Sequence, residues 1–359
     1  MTATAKTVDK GSEGSGGDGH NENSVAPGDP LLSVRGLTID LPGDPGQRGL
    51  VEDVSFDLHR KRSLALIGES GCGKSLTAMA ILRLLPPAMS LRAGSVVFDG
   101  VDLARASERR LRRLRGGPVG IVFQEPMSSL NPTATVGDQI AEARQIHFGE
   151  RRATALAKAA ELLDRVGIPN AKQRVKAYPH ELSGGMQQRV MIAAGIACNP
   201  KLIIADEPTT ALDVTIQAEI LELLRDLQRD LDLAVMLVTH DLGVVADFCD
   251  DVVVMYAGHV VERTSIDGLF YQPRHPYSSA LLAAVPQVGN PRTRLNVIPG
   301  RVPPAGRFPA GCRFQPRCAH DAGGPCAQPQ KETEFADGHT TRCCRVADGS
   351  LTLEGVARA

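Results

Sequence analysis

Four short apolar runs recur along the chain, with helical patterns between them. They read SLALIG, VGIVFQ, KLIIAD and LAVMLVTHD, and they are rich in Val, Ile and Leu. Continuous runs of this length are typical of strands that are buried on both faces of a mostly parallel sheet. The pattern therefore predicts an α/β fold in which strand ends are available for chemistry.

A different pattern, with alternating apolar and polar residues, lies closer to the N-terminus. LLSVRGLTIDL begins at Leu31 and LVEDVSFDLH begins at Leu50, and the turn-forming PGDPGQRG separates them. Alternation is typical of strands with one exposed face. We expect two antiparallel edge strands that lead into the core, and a further strand pair in DVVVMYAGHVVERT.

The pattern changes to helices between Gln124 and about Val190. The segment TALAKAAELLDRVGI, for example, carries apolar residues at spacings of three and four with charges elsewhere. This periodicity predicts a helical subdomain, about residues 124–190, that is inserted into the strand-rich core.

Composition divides the chain into three predicted parts. Residues 1–30 are rich in Gly, Ser and Asp, which is typical of a disordered tail. Residues 31–270 are predicted to form one globular core, because no internal repeat is present. Prolines accumulate after the core, so residues 271–359 are predicted to form a loop-rich extension.

Bulk composition narrows the function classes. The chain has 359 residues, 42% of them hydrophobic, a net charge of -1 and a sequence pI near 6.8. This balance lacks the basic excess of nucleic-acid-binding proteins, so we expect no nucleic-acid partner. No apolar run is long enough for a membrane helix, and the N-terminus lacks the apolar centre of a signal peptide, so we expect a cytoplasmic protein.

A glycine-rich segment, GESGCGKS, follows the run SLALI and precedes the helix-like LTAMAILRLL. It fits the P-loop pattern, in which glycines let backbone N–H groups turn toward phosphate oxygens at a helix N-terminus. In this pattern Lys74 reaches the terminal phosphates and the hydroxyl of Ser75 ligates Mg²⁺. The residues expected to contact the nucleotide are Gly68, Glu69, Ser70, Gly71, Cys72, Gly73, Lys74, Ser75 and Leu76.

Two acidic residues, Asp206 and Glu207, end the apolar run in KLIIADEPT. Asp206 is expected to complete the Mg²⁺ shell, and Glu207 is expected to orient or deprotonate the attacking water. Such a pair, taken alone, is more often a helix cap or a surface charge. Together with the P-loop it predicts nucleotide hydrolysis.

A second candidate phosphate site lies in LSGGMQQR, residues 182–189. Ser183, Gly184 and Gly185 stand at the start of a predicted helix, MQQRVMIAAGIA. A helix N-terminus attracts phosphate, but one in a separate helical subdomain is not expected to reach its own P-loop. We therefore expect it to bind the phosphate that a second, similar domain holds.

These motifs, in their order along the chain, resemble those of the ABC ATPase family, for which LSGGMQQR is the signature. The resemblance covers residues 31 to about 265 and includes Gln124 in VFQEP, ALD at Ala211 to Asp213, and His240 in VTHD. It implies an ABC nucleotide-binding domain of the P-loop NTPase fold. It also implies that two such domains close head to tail on ATP and Mg²⁺.

The same resemblance implies roles for single residues. Gln124 is expected to touch Mg²⁺ and the attacking water and to sense the membrane subunit, and His240 is expected to contact the γ-phosphate. With Glu207 they are the candidate catalytic residues, although a lone histidine at a strand end is more often a capping or core residue. Asp213 is expected to cross the dimer seam, and Gln187 is expected to belong to the nucleotide site.

One position departs from the family pattern. Where relatives usually place an aromatic residue against adenine, this chain has Leu41. The departure implies apolar contact with adenine instead of ring stacking.

Five of the eight cysteines crowd into the last fifty residues, namely Cys312, Cys318, Cys326, Cys343 and Cys344. Clustered thiols in a Pro-rich segment predict a metal staple, with chance clustering and disulfides as the alternatives. From spacing alone, Zn²⁺ and an iron–sulfur cluster both stay open.

The extension, with QPRHPYSSALLAAVP and PPAGRFPAGCRFQPRC, resembles that of the oligopeptide and dipeptide importer ATPases. The resemblance implies a 4Fe–4S cluster on Cys312, Cys318, Cys326 and Cys343. Cys343 is preferred because His339 precedes it by the spacing usual in relatives, many of which have His in place of Cys344. We expect a structural role, so that loss of one ligand cysteine destabilises the extension and leaves the P-loop intact.

The resemblance implies ATP-driven import of di- and oligopeptides by a peripheral protein on the cytoplasmic face of the cell membrane. The expected partners are a second ABC ATPase subunit (a copy or a paralogue), two transmembrane permease subunits and an extracytoplasmic solute-binding protein. Import of nickel or another small solute is the near alternative. A soluble ABC ATPase of DNA repair or translation, or an iron–sulfur sensor, is the alternative from another class.

Overall fold

The computed structural model describes residues 28–40, 49–210, 212–285, 297–305 and 307–356. Most of the predicted tail, residues 1–27, lies outside these ranges, and so do Leu41 and Ala211. The predicted contact of Leu41 with adenine therefore concerns a residue outside the described part of the chain.

Strands of the described residues form two sheets. In chain order these strands are β1 Leu32–Asp40, β2 Val51–Leu58, β3 Ser63–Ile67, β4 Ser90–Phe98, β5 Val101–Asp102, β6 Val119–Val122, β7 Leu202–Asp206, β8 Ala234–Thr239, β9 Asp251–Tyr256, β10 His259–Ser265, β11 Thr333–Glu334 and β12 Thr340–Thr341. The larger sheet has the strand order β11-β12-β10-β9-β3-β8-β7-β6, and the smaller sheet has the order β2-β1-β4-β5.

The strands β9, β3, β8, β7 and β6 run parallel and form the centre of the larger sheet. Leu64 and Leu66 of β3 pack into one hydrophobic cluster, and Ala65 and Ile67 pack into another on the opposite face. Because both faces are buried, these runs are continuously apolar and do not alternate. The predicted α/β fold is confirmed.

The strands β1 and β2 pair antiparallel, with Leu32 opposite Leu58 and Val34 opposite Phe56. The structure differs from the prediction in one respect, because these strands do not form an edge of the core sheet. β1 also pairs with β4, which places both strands in the separate, smaller sheet. The antiparallel edge of the larger sheet consists of β10, β12 and β11 instead.

Helices cover both faces of the larger sheet and form the segment between β6 and β7. In chain order they are α1 Lys74–Ile81, α2 Glu108–Leu114, α3 Pro126–Ser129, α4 Val136–Phe148, α5 Arg152–Arg165, α6 Ala171–Arg174, α7 Gly184–Ile196, α8 Val214–Asp230, α9 Leu242–Phe248, α10 Ile266–Tyr271, α11 Pro276–Ala283, α12 Gly324–Ala327 and α13 Cys344–Ala347. Short 3₁₀ turns lie at Pro179–Glu181 and Gln315–Arg317. None of the helices in the described ranges is both long and apolar enough to cross a bilayer.

Helices α3 to α7 occupy the segment for which the sequence predicts a helical subdomain. In α5 the buried residues Ala155, Ala159 and Leu163 recur every four positions, as expected of a helix with one packed face. Helix α7 continues to Ile196, so residue 190 falls inside a helix and not at its end.

The extension is attached to the core by a strand and by packed side chains. β12 pairs antiparallel with β10, with Thr341 opposite Glu262. Phe314 is 2% exposed and belongs to the same hydrophobic cluster as Tyr256 of the core strand β9. The extension therefore completes one edge of the larger sheet.

Candidate ATP site

The candidate residues meet at one edge of the larger sheet. β3 ends directly before the P-loop, and β6 ends two residues before Gln124. β7 ends at Asp206, and β8 ends directly before His240. Because the carboxyl ends of parallel strands lie on the same edge of a sheet, the fold brings these residues together.

The P-loop turns sharply between β3 and α1, and two glycines allow the turn. Gly68 has a φ of 148° and Gly73 has a φ of 104°. A Cβ atom on Gly68 would lie 2.1 Å from the carbonyl oxygen of Met255, and one on Gly73 would lie 2.7 Å from a methyl carbon of Val51. Glycine is therefore required both by the backbone conformation and by the close approach of β9 and β2.

The side chain of Lys74 lies inside the curve of the P-loop. Lys74 is 5% exposed, and its Nζ donates hydrogen bonds to the carbonyl oxygens of Gly68 (2.8 Å) and Glu69 (3.3 Å). Helix α1 begins at Lys74, so the first N–H groups of the helix face the same space. A positive charge and open N–H groups at one point are suited to binding phosphate.

Ser75 and Asp206 form the candidate magnesium site. Ser75 Oγ donates a hydrogen bond to Asp206 Oδ1 at 3.0 Å. Burial raises the pKa of Asp206 above its usual range, the hydrogen bond from Ser75 opposes that rise, and the charge of Glu207 adds to it. A buried carboxylate beside a hydroxyl supplies the hard oxygen ligands that Mg²⁺ prefers.

Glu207 connects three strand ends through hydrogen bonds. Its Oε2 accepts a hydrogen bond from Gln124 Nε2 at 3.1 Å, and its Oε1 lies 3.3 Å from His240 Nδ1. Thr210 Oγ1 also donates to Glu207 Oε2, at 2.8 Å. The structure thus brings the three candidate catalytic residues into contact.

The backbone of Glu207 is held in the left-handed region, with a φ of 45°. This conformation costs a non-glycine residue about 1–2 kcal/mol and persists only where the surroundings hold it. Here the N–H of Glu207 donates to the carbonyl oxygen of Val238 in β8 at 2.8 Å. The contact ties Glu207 to the strand that carries His240.

The signature segment forms the start of α7. Ser183 is the N-cap, and its Oγ accepts a hydrogen bond from the N–H of Met186 at 3.3 Å. Gly184 and Gly185 occupy the first turn, where backbone N–H groups have no partner within the helix. A Cβ atom on Gly185 would lie 2.9 Å from Cγ2 of Ile216, so this end of α7 packs closely on α8.

Asp213 caps the next helix, α8. Its Oδ1 accepts a hydrogen bond from the N–H of Ile216 at 2.9 Å. Val214 beside it is 83% exposed, so the start of α8 lies at the surface.

The side chain of Gln187 is buried at the start of α7, behind the loop that precedes it. It is 5% exposed, and its amide nitrogen donates to the carbonyl oxygens of Pro179 (2.8 Å) and Leu182 (3.1 Å). This geometry favours a structural role, in which Gln187 supports the loop that precedes α7.

Sequence reasoning missed three residues that contact the site. Thr210 follows Glu207 by three positions, and a hydroxyl so close in sequence could have predicted a hydrogen bond to the Glu207 carboxylate. Tyr277 and Arg317, both in the extension, contact the P-loop. No local pattern indicates contacts over such long separations along the chain.

The clustered cysteines line one pocket of the extension, together with His275 and His320. All five are free thiols. Burial raises the pKa of Cys312 to about 12 and that of Cys344 to about 11, and neighbouring thiols add to both rises. Within the described ranges, however, no group of three or more His, Cys, Asp or Glu side chains is arranged to hold a metal ion.

A shared pocket therefore supports the predicted 4Fe–4S site, but the described residues form no ready set of metal ligands. Cys343 and Cys344 both line the pocket, so its lining does not distinguish them as the fourth ligand.

Comparison with known proteins gives two family matches. The family described as "ABC transporter" matches residues 51–210, and "Oligopeptide/dipeptide transporter, C-terminal region" matches residues 261–326. A protein of Brucella abortus (strain 2308), named "Putative peptide import ATP-binding protein", is 48% identical over 314 residues, which cover 88% of this chain and 94% of the relative. The chain belongs to the ABC transporter family.

Other proteins are similar to this ABC ATPase. A relative of the same name from Brucella melitensis biotype 1 is 46% identical over 334 residues, covering 88% of this chain and 97% of its own. The dimeric structure of the cassette MJ0796 matches with a TM-score of 0.58 and 26% identity, over 66% of this chain and 99% of that one. The structure of cbiO1 from Clostridium perfringens, part of an ABC transporter complex, matches with a TM-score of 0.57 and 27% identity, over 67% and 90%. The predicted family, the P-loop NTPase fold and the assignment as an ABC-type ATPase are confirmed.

Proposed function

We propose that this ABC ATPase hydrolyses ATP to power the import of di- and oligopeptides through membrane subunits. The observation that carries the proposal is the contact of Glu207 with both Gln124 and His240, in a chain whose C-terminal region matches that of oligopeptide and dipeptide transporters. The names of the Brucella relatives support peptides as the cargo.

The phosphates of ATP are bound by the P-loop. Backbone N–H groups of residues 68–75 and the ammonium of Lys74 contact the phosphate oxygens. Ser75, Asp206 and Gln124 would hold Mg²⁺, which when bound neutralises charge on the β- and γ-phosphates. The buried Asp206 carboxylate, 3.0 Å from the Ser75 hydroxyl, fits that ion.

Hydrolysis is assigned to the network around Glu207. Its carboxylate orients the attacking water or accepts its proton, and the hydrogen bonds from Gln124 and Thr210 fix the direction of the carboxylate. His240 contacts the other carboxylate oxygen of Glu207, and from this position its ring can also contact the γ-phosphate.

The site is completed by a second ABC ATPase subunit, a copy or a paralogue. The N-terminus of α7, with Ser183 to Gly185, binds the phosphates held by the partner, because a helix N-terminus attracts anions. Asp213 and the exposed Val214 lie in the seam between the two subunits. The dimeric structure of a similar cassette supports this arrangement.

A groove beside Gln124 receives a helix from a transmembrane permease subunit. Apolar Phe123, Leu130 and Met191 line the groove, and acidic Glu142 lies at its side. An amphipathic helix with a basic end complements this lining. Since Phe123 lines the groove and directly precedes Gln124, movement of such a helix would reach Glu207 through these two residues.

This docking places the chain on the cytoplasmic face of the cell membrane as a peripheral subunit. Two permease subunits, each above one ATPase, then form the path for the peptide. An extracytoplasmic solute-binding protein delivers the peptide to that path, because an ATPase on the cytoplasmic face cannot contact a peptide outside the cell.

A 4Fe–4S cluster in the cysteine pocket is part of the proposal. The ligands assigned to it are Cys312, Cys318, Cys326 and Cys343. Several thiols around one pocket supply the donors such a cluster requires, and a cluster separates its thiolates more widely than a single ion does. When bound, it would link the loops of the extension; Zn²⁺ is the alternative metal, and Cys344 is the alternative fourth ligand.

The proposal is tested by uptake of labelled di- to hexapeptides into cells whose only copy of the chain carries Lys74→Ala. We expect loss of uptake at normal protein levels, because the variant lacks the positive charge of the P-loop. Lys158→Ala is the matched control, since Lys158 is exposed on α5. Unchanged peptide uptake in the Lys74→Ala cells would contradict peptide import and direct the search to nickel or another small solute.

A further inference from the structure

The P-loop is in direct contact with residues beyond the nucleotide core. Tyr277 of α11 is 0% exposed, and its hydroxyl oxygen accepts a hydrogen bond from the backbone N–H of Glu69 at 2.9 Å. Glu69 is the second residue of the P-loop, so this bond holds the loop at the point where the chain leaves β3.

Arg317 of the extension contacts the same P-loop residue. Its Nη1 lies 3.0 Å from each carboxylate oxygen of Glu69 and 3.3 Å from the hydroxyl oxygen of Tyr256. The other two nitrogens also donate, Nε to the carbonyl oxygen of Pro299 at 2.8 Å and Nη2 to that of Ile298 at 3.3 Å. The guanidinium group therefore bridges the P-loop and the loop near residue 298.

Burial makes the contact between Arg317 and Glu69 specific. The Arg317 side chain is 5% exposed and that of Glu69 is 28% exposed, so removing Glu69 would leave a buried guanidinium charge without its carboxylate partner. Burial opposes the charge of Arg317, but hydrogen bonds to Glu69 and Tyr256 hold its pKa above the ordinary value. The guanidinium is thus positively charged at every pH at which the protein works.

An aromatic cluster keeps both contacts in place. The ring of Phe314 lies 5.2 Å from the ring of Tyr256 and 5.3 Å from that of Tyr277, measured between centroids. Phe314 is three residues before Arg317, and Cys318 of the cysteine pocket directly follows Arg317. The P-loop, the aromatic cluster and the cysteine pocket are consequently connected by packed side chains.

We propose that Arg317 and Tyr277 are positioning residues that hold the P-loop in the conformation that binds the phosphates of ATP. Neither residue is assigned a contact with ATP; both act through Glu69, whose backbone adjoins the phosphate-binding N–H groups. The proposal rests on the assigned ATP site and is independent of the transported solute. It also revises the expectation that damage to the extension leaves the P-loop intact.

The test is a titration of the full-length protein with Mg·ATP. Four proteins are compared: wild type, Arg317→Gln, Glu69→Gln and the double variant. We expect Arg317→Gln to weaken ATP binding about five- to fifty-fold, and the double variant to bind no more weakly than Arg317→Gln, since contacting residues are coupled. Arg229→Gln is the matched control, because the Arg229 side chain is 70% exposed on α8 and forms an ion pair with Asp226 of the same helix.

A second variant covers the case in which Arg317→Gln does not fold. Tyr277→Phe keeps the ring and removes the acceptor of the Glu69 N–H, so we expect several-fold weaker ATP binding, and a KM for ATP that rises more than kcat falls. A purely structural role would lower the unfolding temperature and leave the ATP affinity of the folded protein unchanged, and that result would overturn the proposal.

The titration separates this inference from the ATP site on which it rests. If wild type binds ATP, Lys74→Ala does not, and both Arg317→Gln and Tyr277→Phe bind like wild type, only the positioning role is wrong. If Lys74→Ala binds ATP as tightly as wild type does, the assigned ATP site itself is wrong.

Discussion

At the scale of single residues, two neighbouring carboxylates have different surroundings. Asp206 is 5% exposed and accepts a hydrogen bond from Ser75, whereas Glu207 contacts Gln124 and His240. Environment decides the role of a carboxylate, so the first is suited to Mg²⁺ and the second to the attacking water.

Glu207→Gln removes the proposed base and keeps the size of the side chain. We expect ATP hydrolysis to fall at least about a hundredfold, because general-base losses are of that order, while ATP binding persists. The measurement is phosphate release at saturating ATP together with a binding titration. Glu222→Gln, at an exposed position of α8, is the control and should hydrolyse ATP like wild type. Normal hydrolysis by Glu207→Gln would remove Glu207 from the mechanism.

Asp206→Asn tests the electrostatics of the magnesium site through stability. Burial raises the pKa of Asp206 in the folded protein, so keeping the carboxyl ionised at neutral pH lowers the free energy of unfolding. This loss of stability becomes smaller as the pH falls below the folded-state pKa, because the carboxyl is then protonated. The nucleotide-free variant should therefore unfold at a higher temperature than wild type at neutral pH, by a margin that is smaller near the ordinary Asp pKa of about 3.9.

Exposed Asp164 provides the control for this measurement. At neutral pH, Asp164→Asn should unfold at about the temperature of wild type, because the Asp164 side chain is exposed. The Asp206→Asn variant should also gain no stability from adding Mg²⁺ to ATP, because it lacks the carboxylate ligand. A margin that is equal at both pH values would contradict the assigned burial effect.

At the scale of elements, local patterns explain what the sequence could predict. The parallel strands and α7 each have their own apolar run or periodicity, so their existence and the motifs at their ends could be predicted. The pairing of β1 with β4, which creates the separate sheet, depends on residues far apart in the chain. β12 has two residues, too few for any period, yet it extends the larger sheet.

The start of α7 provides a prediction at this scale. In a Glu207→Gln background, ATP should produce a stable dimer, because ATP is bound and not hydrolysed. Adding Gly185→Ala should abolish that dimer while the monomer still binds ATP, since the new Cβ would lie 2.9 Å from Ile216 and displace the helix end. Light scattering during size-exclusion chromatography measures both states.

Gly324→Ala is the matched control, because a Cβ at Gly324 would meet no atom within 4 Å among the described residues. This variant should dimerise like its parent, and Ile216→Ala should partly restore dimers to Gly185→Ala. An unchanged dimer in the Gly185→Ala protein would show that the start of α7 does not face the partner's ATP.

At the scale of the whole molecule, the extension and the nucleotide core form one connected structure. The contact of Arg317 with Glu69 spans 248 positions of the sequence, and the Arg313–Glu52 ion pair spans 261. Cysteine spacing could predict a shared thiol pocket because its members lie close in sequence. It could not predict that the pocket adjoins the P-loop, because that depends on the folded path of the chain.

The metal content of the extension is a separate prediction. Protein purified without oxygen should be brown and contain about four irons per chain, with acid-labile sulfide, because a 4Fe–4S cluster has that composition. Cys318→Ser should lose the iron, whereas Cys198→Ser, outside the pocket, should keep it. Colourless protein that contains zinc would contradict the cluster.

Peptide-stimulated ATP hydrolysis by the complete transporter tests the central claim most directly. The chain, its partner ATPase, two permease subunits and the peptide-loaded binding protein are assembled in lipid vesicles, and phosphate release is followed with and without peptide. We predict that peptide raises hydrolysis several-fold and that Glu207→Gln abolishes the increase. Hydrolysis that no peptide stimulates, or that only a metal ion stimulates, would contradict the account.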